Sequence, residues 1–243
     1  MGPNERWVQS LPRAPAPPLC TTLPLNRAAA ARHNGFDMPN SGTVDVWLVR
    51  LDQDGDWLPP TPAERDRAER FVSQELRERH LRSHAALRAI LRRYTPTPGS
   101  DPDFALAEHG KPYLPAVPEL KFNLSHSHQL ALVAVALGLE VGVDVERLRP
   151  LPDCLAIAER FFPPADAAAL AEAPADRREH EFFRRWTRIE AVLKARGIGL
   201  YGAGTEPAGD WTVQPVDVGA GYAAAVAAPL AGVTVKVHVW RAA

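Results

Sequence analysis

The sequence predicts an α+β protein built from two similar α/β subdomains related by a pseudo-two-fold axis. Three observations lead there. A strand-like run is followed by a long arginine-rich helical segment. A block of apolar strand-like runs then occupies the middle of the chain. A second series of strand, helices and strands completes it. The division is expected near residues 138–143, giving a leader (1–40), an N-terminal subdomain (41–139) and a C-terminal subdomain (140–243). Identity between the halves is weak, so the repeat rests on element order.

The leader is rich in Pro, Ala, Arg and Asn and shows no period. Residues 44–51 read as the first strand, closed by the acidic turn Asp52-Gln53-Asp54-Gly55-Asp56, which lacks the closing glutamate of a calcium loop. Thr61-Pro62-Ala63-Glu64 is a helix start, with Thr61 as cap and Glu64 closing a capping box. Helix is predicted over 62–93 with one break, buried through Phe71, Leu76, Leu81, Leu87, Ile90 and Leu91 and stopped by Pro96 and Pro98. This segment carries nine arginines against five acidic residues, with His80 and His84 among them. Such a pattern suits either a solvated face with i,i+4 pairs or a surface that meets anions.

Gly110-Lys111-Pro112-Tyr113 reads as a turn, 122–124 as a short strand and 130–137 as a buried one. Gly138 turns the chain into a strand at 141–145. Helices are expected at 153–161, 165–172 and 177–195, the last ending near Gly197 and Gly199. Strands at 211–216, 222–227 and 233–240 follow, and the glycine-rich runs at 202–204 and 219–221 read as turns.

Composition narrows the function. A formal net charge of -1 does not suit general nucleic-acid binding. No apolar run is long enough to span a bilayer and no signal-peptide pattern is evident, so a cytoplasmic, membrane-independent protein is expected. Cys20 and Cys154 lack metal-ligand spacing and read as free thiols. Walker A, Rossmann and zinc motifs are absent.

In Val141-Gly142-Val143-Asp144-Val145-Glu146, period two places Asp144 and Glu146 on one strand face. Paired carboxylates there would be relieved by a hard cation bound through oxygen; the alternative is a strand that runs out into solvent. In the helix holding Trp186-Thr187-Arg188-Ile189-Glu190-Ala191-Val192-Leu193-Lys194, spacing of four aligns Trp186, Glu190 and Lys194 beside an apolar stripe of Phe182, Trp186, Ile189 and Leu193. Glu190 and Lys194 are then either an ordinary i,i+4 pair or a third metal ligand with a phosphate-binding ammonium. Phe122-Asn123-Leu124-Ser125-His126-Ser127 places small polar residues after a short strand, suited to a phosphate. Adjacent Ser and His do not make a nucleophile–base pair, and no nucleophile elbow is present.

These segments, together with Gly110-Lys111-Pro112, occur in an order and at separations that resemble the 4'-phosphopantetheinyl transferases of the two-half type acting on carrier proteins of peptide, polyketide and fatty-acid synthesis. The resemblance covers about 43–228. It implies that family's fold and a Mg²⁺-dependent transfer of 4'-phosphopantetheine from coenzyme A to a carrier-protein serine, releasing adenosine 3',5'-bisphosphate. By motif, Asp144, Glu146 and Glu190 would hold Mg²⁺. Glu190 would be the base and Lys194 would stabilise the leaving phosphate, so Asp144, Glu190 and Lys194 form the implied catalytic set. Lys111, Ser125, His126, Arg67 and Arg79 would bind coenzyme A. Partners would be acyl or peptidyl carrier domains and the chain a monomer. Arg188 stands where many members have lysine, and Ala191 where some have serine. The competing expectations are a Mg²⁺-dependent pyrophosphate or nucleotide hydrolase, marked by release of phosphopantetheine without a carrier, and a non-catalytic coenzyme A- or carrier-binding protein.

Overall fold

The computed structural model describes residues 38–95, 101–107, 110–198 and 210–242. Most of the 1–40 leader, Cys20, the helix-stopping Pro96 and Pro98, Gly199 and the expected turn at 202–204 lie outside the described residues.

The chain begins with β1 (Thr43–Arg50), α1 (Pro62–Ala68) and α2 (Gln74–Leu91). A small hairpin, β2 (Ala105–Leu106) and β3 (Pro112–Tyr113), precedes β4 (Leu120–Ser127) and β5 (Leu130–Leu137). Then come β6 (Gly142–Arg147), α3 (Cys154–Phe161), α4 (Pro164–Ala171) and α5 (Ala175–Arg196). The order closes with β7 (Thr212–Pro215), β8 (Tyr222–Ala228) and β9 (Thr234–Trp240).

The cap at Thr61 forms as its sequence predicts. Thr61 Oγ1 accepts from Glu64 N at 3.3 Å, and Glu64 Oε2 accepts from Thr61 N at 2.8 Å. The predicted break falls between Ala68 and Gln74, where Ser73 starts a second helix by accepting from Leu76 N. The break changes which residues reach the core. Leu76 is exposed and Phe71 only partly buried, while the buried residues of α2 gather between His80 and Leu91.

Two main sheets stack face to face. The first has the order β4-β5-β1-β9 and the second β6-β8-β7. Period two explains the layers. Trp47, Val49, Phe122, Val133 and Val135 turn to α2, where they meet Leu87, Ile90 and Leu91. Val44, Val46, Leu132 and Ala134 turn the other way, onto Val143, Val145 and Val226 of the second sheet. The far face of that sheet is covered by α5, through Ala191 against Ala225 and Ala227. α3 and α4 pack on α5 through Phe162, Leu170, Phe182 and Phe183.

β9 belongs to the first sheet although it closes the C-terminal half. It pairs in parallel with β1, and Trp240 joins the core under α2. An unpaired β1 edge would leave a row of backbone donors and acceptors unsatisfied. β4 is also longer than the three-residue strand expected. Its eight residues include Asn123, Ser125 and Ser127, so these polar side chains lie on the strand rather than after it.

Candidate active site

The site forms where the edge strands β4 and β6 meet beneath α5. β6 presents Val143 and Val145 to the first sheet and therefore Gly142, Asp144 and Glu146 to the opposite face. Gly142 allows an unusually close approach. A β-carbon there would lie 2.0 Å from Ala191 O and 2.4 Å from Ala195 N, both backbone atoms of α5. The helix ends at Gly197, whose φ of 69° is the left-handed conformation of a helix C-terminus. Helical periodicity places Glu190 and Lys194 one turn apart, above the strand carboxylates.

Asp144 is only 4% exposed. Its Oδ1 accepts from Lys194 Nζ at 2.5 Å and from Ser125 Oγ at 2.9 Å, while its buried Oδ2 has no hydrogen-bond partner among the described residues. Glu190, 5% exposed, likewise has a buried Oε1 without a hydrogen-bond partner among the described residues. Burial, then the charges of Asp144 and Glu146, lift the Glu190 carboxyl to about 7, against the pull of Lys194. Burial also raises Asp144, although Lys194 and Ser125 favour its charged form. Glu146 is raised by burial and by Asp144. Burial alone would depress the Lys194 ammonium, but Asp144, Glu190 and Glu146 hold it above the ordinary lysine value. The assembly is an acidic pocket short of positive charge, with Lys194 inside it and Arg149 at its rim, 3.6 Å from Glu146.

Side chains of β4 close the seam to β6. Asn123 Oδ1 accepts from Val143 N, Ser125 Oγ from Val145 N and Ser127 Oγ from Arg147 N, at 2.9, 3.3 and 3.0 Å. The offset is constant along the strand. No backbone ladder joins the two strands, and side-chain acceptors take its place.

The opposite residues of β4 face α2. Burial, followed by the charges of Lys194 and Arg79, pushes His126 down to about 4. His80 is also pushed to about 4, by burial and then by His126 and Arg67. Both its ring nitrogens are buried without hydrogen-bond partners among the described residues. His84, whose ring lies 4.3 Å from that of His80 at a 50° tilt, is depressed by burial and then by His80, His126, Arg67 and Arg88. The α2 side of β4 thus holds buried histidines kept neutral beside arginines, in contrast to the carboxylate pocket.

The region matching the family model of the 4'-phosphopantetheinyl transferase superfamily is 140–235, which contains β6 and α5. The chain is 39% identical over 168 residues to the 4'-phosphopantetheinyl transferase HetI of Nostoc, covering 66% of this chain and 71% of HetI. The chain belongs to the 4'-phosphopantetheinyl transferase superfamily. It is also 31% identical to the transferase Sfp of Bacillus subtilis, over 58% of this chain and 61% of Sfp. With AcpT of Salmonella typhi it shares 35% identity over 40% of this chain and 50% of AcpT.

In this transferase the residues expected to act together are gathered only in part. Asp144, Lys194 and Ser125 are in direct contact, with Glu190 and Glu146 linked to them by charge. Among the described residues, no three His, Cys, Asp or Glu side chains are assembled at metal-holding separation. Ser125, expected on a phosphate, is directed inward. Its one donor goes to Asp144 and its acceptor sites take Val145 N and Lys194 Nζ. Lys111 is likewise engaged. Its Nζ donates to Glu140 Oε2, Val141 O and Ala195 O at 2.6, 3.1 and 2.9 Å, pinning the β2–β3 hairpin to the end of α5. A cleft of about 390 Å³ opens there, bordered by Lys111, Glu140 and Trp211, beside the carboxylates rather than over them. Arg79 pairs with Glu75 and charges the surroundings of His126, while Arg67 acts on His80 and His84. Arg88 is buried, bonded to Pro59 O and paired with Glu64, so at least one arginine of the helical region is a framework residue.

Motif reading gives no role to Gly142, and groups Asn123 and Ser127 only among small polar residues suited to a phosphate rather than with the β6 seam they form. Alternation of small polar residues along β4 is the signal that identifies the latter two. No local pattern identifies Gly142, because its neighbour is 49 positions away in α5.

Proposed function

We propose that Asp144, Glu190 and Lys194 form the reaction centre of this transferase, with Glu146 as a third carboxylate. The chain is a 4'-phosphopantetheinyl transferase, and its reaction joins the arm of coenzyme A to a carrier-protein serine. The observation that carries the site assignment is the pair of buried, unpartnered oxygens, Asp144 Oδ2 and Glu190 Oε1, in one acidic pocket beside Lys194. Unsatisfied buried carboxylate oxygens are rare and costly, and they suit a hard, oxygen-seeking cation.

Asp144, Glu146 and Glu190 therefore fit Mg²⁺ in donor chemistry. Mg²⁺ bound there would neutralise phosphate charge and polarise the bond under attack. The chain's own groups carry the proton and the leaving charge. Glu190, held near 7, takes the proton of the serine hydroxyl as its oxygen bonds to phosphorus. Lys194, kept protonated by its carboxylate neighbours, stabilises the phosphate oxygen of departing adenosine 3',5'-bisphosphate. Arg79, beside His126, and Arg67, beside His80 and His84, offer coenzyme A phosphates an electropositive wall. Lys111 and Ser125 keep their framework contacts.

The two halves, 41–139 and 140–243, supply opposite walls of this site: α2 and β4 from one, β6 and α5 from the other. That supports a pseudo-two-fold arrangement, monomeric function and a site complete in one chain. Among the described residues no helix is long and apolar enough to cross a membrane.

Incubating the protein with coenzyme A, Mg²⁺ and an apo carrier domain, then weighing the carrier, tests the proposal. A gain of one phosphopantetheine is expected, and it should be lost in Asp144→Asn and Glu190→Gln. Undiminished transfer by both variants would sink the site assignment.

A further inference from the structure

The seam between β4 and β6 does more than join two sheets. Each of its three β4 side chains accepts a backbone N–H from β6, but only the serines have a hydroxyl proton left to donate. Ser125 gives its proton to Asp144 Oδ1 and Ser127 gives its own to Glu146 Oε2, both at 2.9 Å. The accepted N–H orients the hydroxyl, and the hydroxyl in turn aims the carboxylate.

Glu146 needs such a guide more than Asp144 does. It has a longer side chain, 19% exposed, and a competing cation. Arg149 Nη1 stands 3.6 Å from the same Oε2. The Arg149 guanidinium also lies over the Phe183 ring at 5.0 Å, which holds it near the pocket. Released from Ser127, Glu146 would turn to Arg149, and the pocket would lose its third carboxylate.

We propose that Ser127 is a positioning residue that holds Glu146 toward the cation site against the pull of Arg149. This rests on the reading of Glu146 as a Mg²⁺ ligand. Asn123 supplies an internal control, because it shares the seam contact and hydrogen-bonds no carboxylate among the described residues.

The test uses the full chain, with Mn²⁺ alone as probe, followed by loss of the free-ion paramagnetic resonance signal. Ser127→Ala should weaken Mn²⁺ binding about 10-fold, the usual scale for removing a hydrogen bond behind a metal ligand. Ser127→Thr, which keeps the hydroxyl, should restore it. Adding Arg149→Ala to Ser127→Ala should recover part of the loss. Asn123→Leu should lower the melting temperature yet leave Mn²⁺ affinity within two-fold of wild type, roughly the scatter expected without a ligand contact. In carrier transfer, Ser127→Ala should raise the Mg²⁺ concentration for half-maximal rate, with a smaller change in the rate at saturating Mg²⁺. Unchanged Mn²⁺ affinity in Ser127→Ala, or an equal loss in Asn123→Leu, would overturn the proposal. Wild-type protein that binds no Mn²⁺ would instead overturn the metal assignment itself.

Discussion

Gly142 and Ala191 meet backbone to backbone: a β-carbon on Gly142 would sit 2.0 Å from the Ala191 carbonyl oxygen. The contact sets the distance between the strand that carries Asp144 and the helix that carries Glu190 and Lys194. Gly142→Ala cannot be absorbed by a side-chain rotation, because the obstructing atoms are backbone. It should destabilise the protein by about 3 kcal/mol or more, at the upper end for overpacking, and abolish most transfer. Chemical denaturation and the carrier mass assay measure both. A variant of wild-type stability would mean that α5 shifts freely, and that the carboxylates are not held at a fixed spacing.

Glu190→Gln separates charge from shape. The carboxyl is raised to about 7, so the folded protein holds this proton more tightly than the unfolded chain does. Stability from Glu190 is therefore fully present below the unfolded value near 4.5 and is lost as pH rises through about 7. Without metal, Glu190→Gln should melt above wild type at pH 8, with the difference vanishing near pH 3.5 (both pH values being roughly one unit outside that window). Transfer should nearly disappear while coenzyme A binding, measured calorimetrically, is largely kept. Equal loss of binding and transfer would make Glu190 a binding residue.

Much of the frame was legible because it depends on local chemistry. Thr61 and Glu64 announce their capping box, Gly197 ends its helix, and the alternation around Asp144 gives the correct face of β6. Motif order joined Asp144 to Lys194 across 50 positions of sequence, and the structure places them in contact. The return of β9 to β1 was not legible, since its apolar alternation fits either sheet. Nor were the inward commitments of Ser125 and Lys111. Both are polar residues in phosphate-like settings, and only the approach of β6 and α5 supplies their partners.

The histidines on the α2 side make the fold acid-sensitive. His80 and His126 are pushed down to about 4, and His84 is also depressed, chiefly by burial. Below the ordinary value of 6.5 the unfolded chain binds protons that the folded protein refuses, so stability falls as pH drops from about 6.5 toward 4. Each tenfold weakening of proton affinity on folding costs about 1.4 kcal/mol at the acid limit. Replacing His80 by Leu should flatten this limb of the stability–pH curve and leave the curve above pH 7 (roughly half a pH unit past the histidine range) almost unchanged. An equally steep limb in His80→Leu would assign the acid sensitivity to other groups.

Lys194 serves as the resident cation of a pocket built for more positive charge. Its Nζ is 2.5 Å from Asp144 Oδ1, and 26% of its side chain is exposed. Removing the charge by Lys194→Met leaves Asp144 with Ser125 alone and takes the compensating cation from Asp144 and Glu190, while Glu146 keeps Arg149 at 3.6 Å. Breaking a buried pair usually costs 3–5 kcal/mol, and the partial exposure of Lys194 reduces this to about 2 kcal/mol. Added Mg²⁺ should then stabilise Lys194→Met more than wild type, because the metal replaces a missing cation in one protein and joins an existing one in the other. Transfer should stay low at any Mg²⁺ concentration, since the leaving phosphate still lacks its ammonium. Thermal melts of both proteins with and without Mg²⁺ distinguish the two roles. Full rescue of transfer by Mg²⁺ would reduce Lys194 to a charge placeholder, and an unchanged Mg²⁺ response would separate it from the metal pocket altogether.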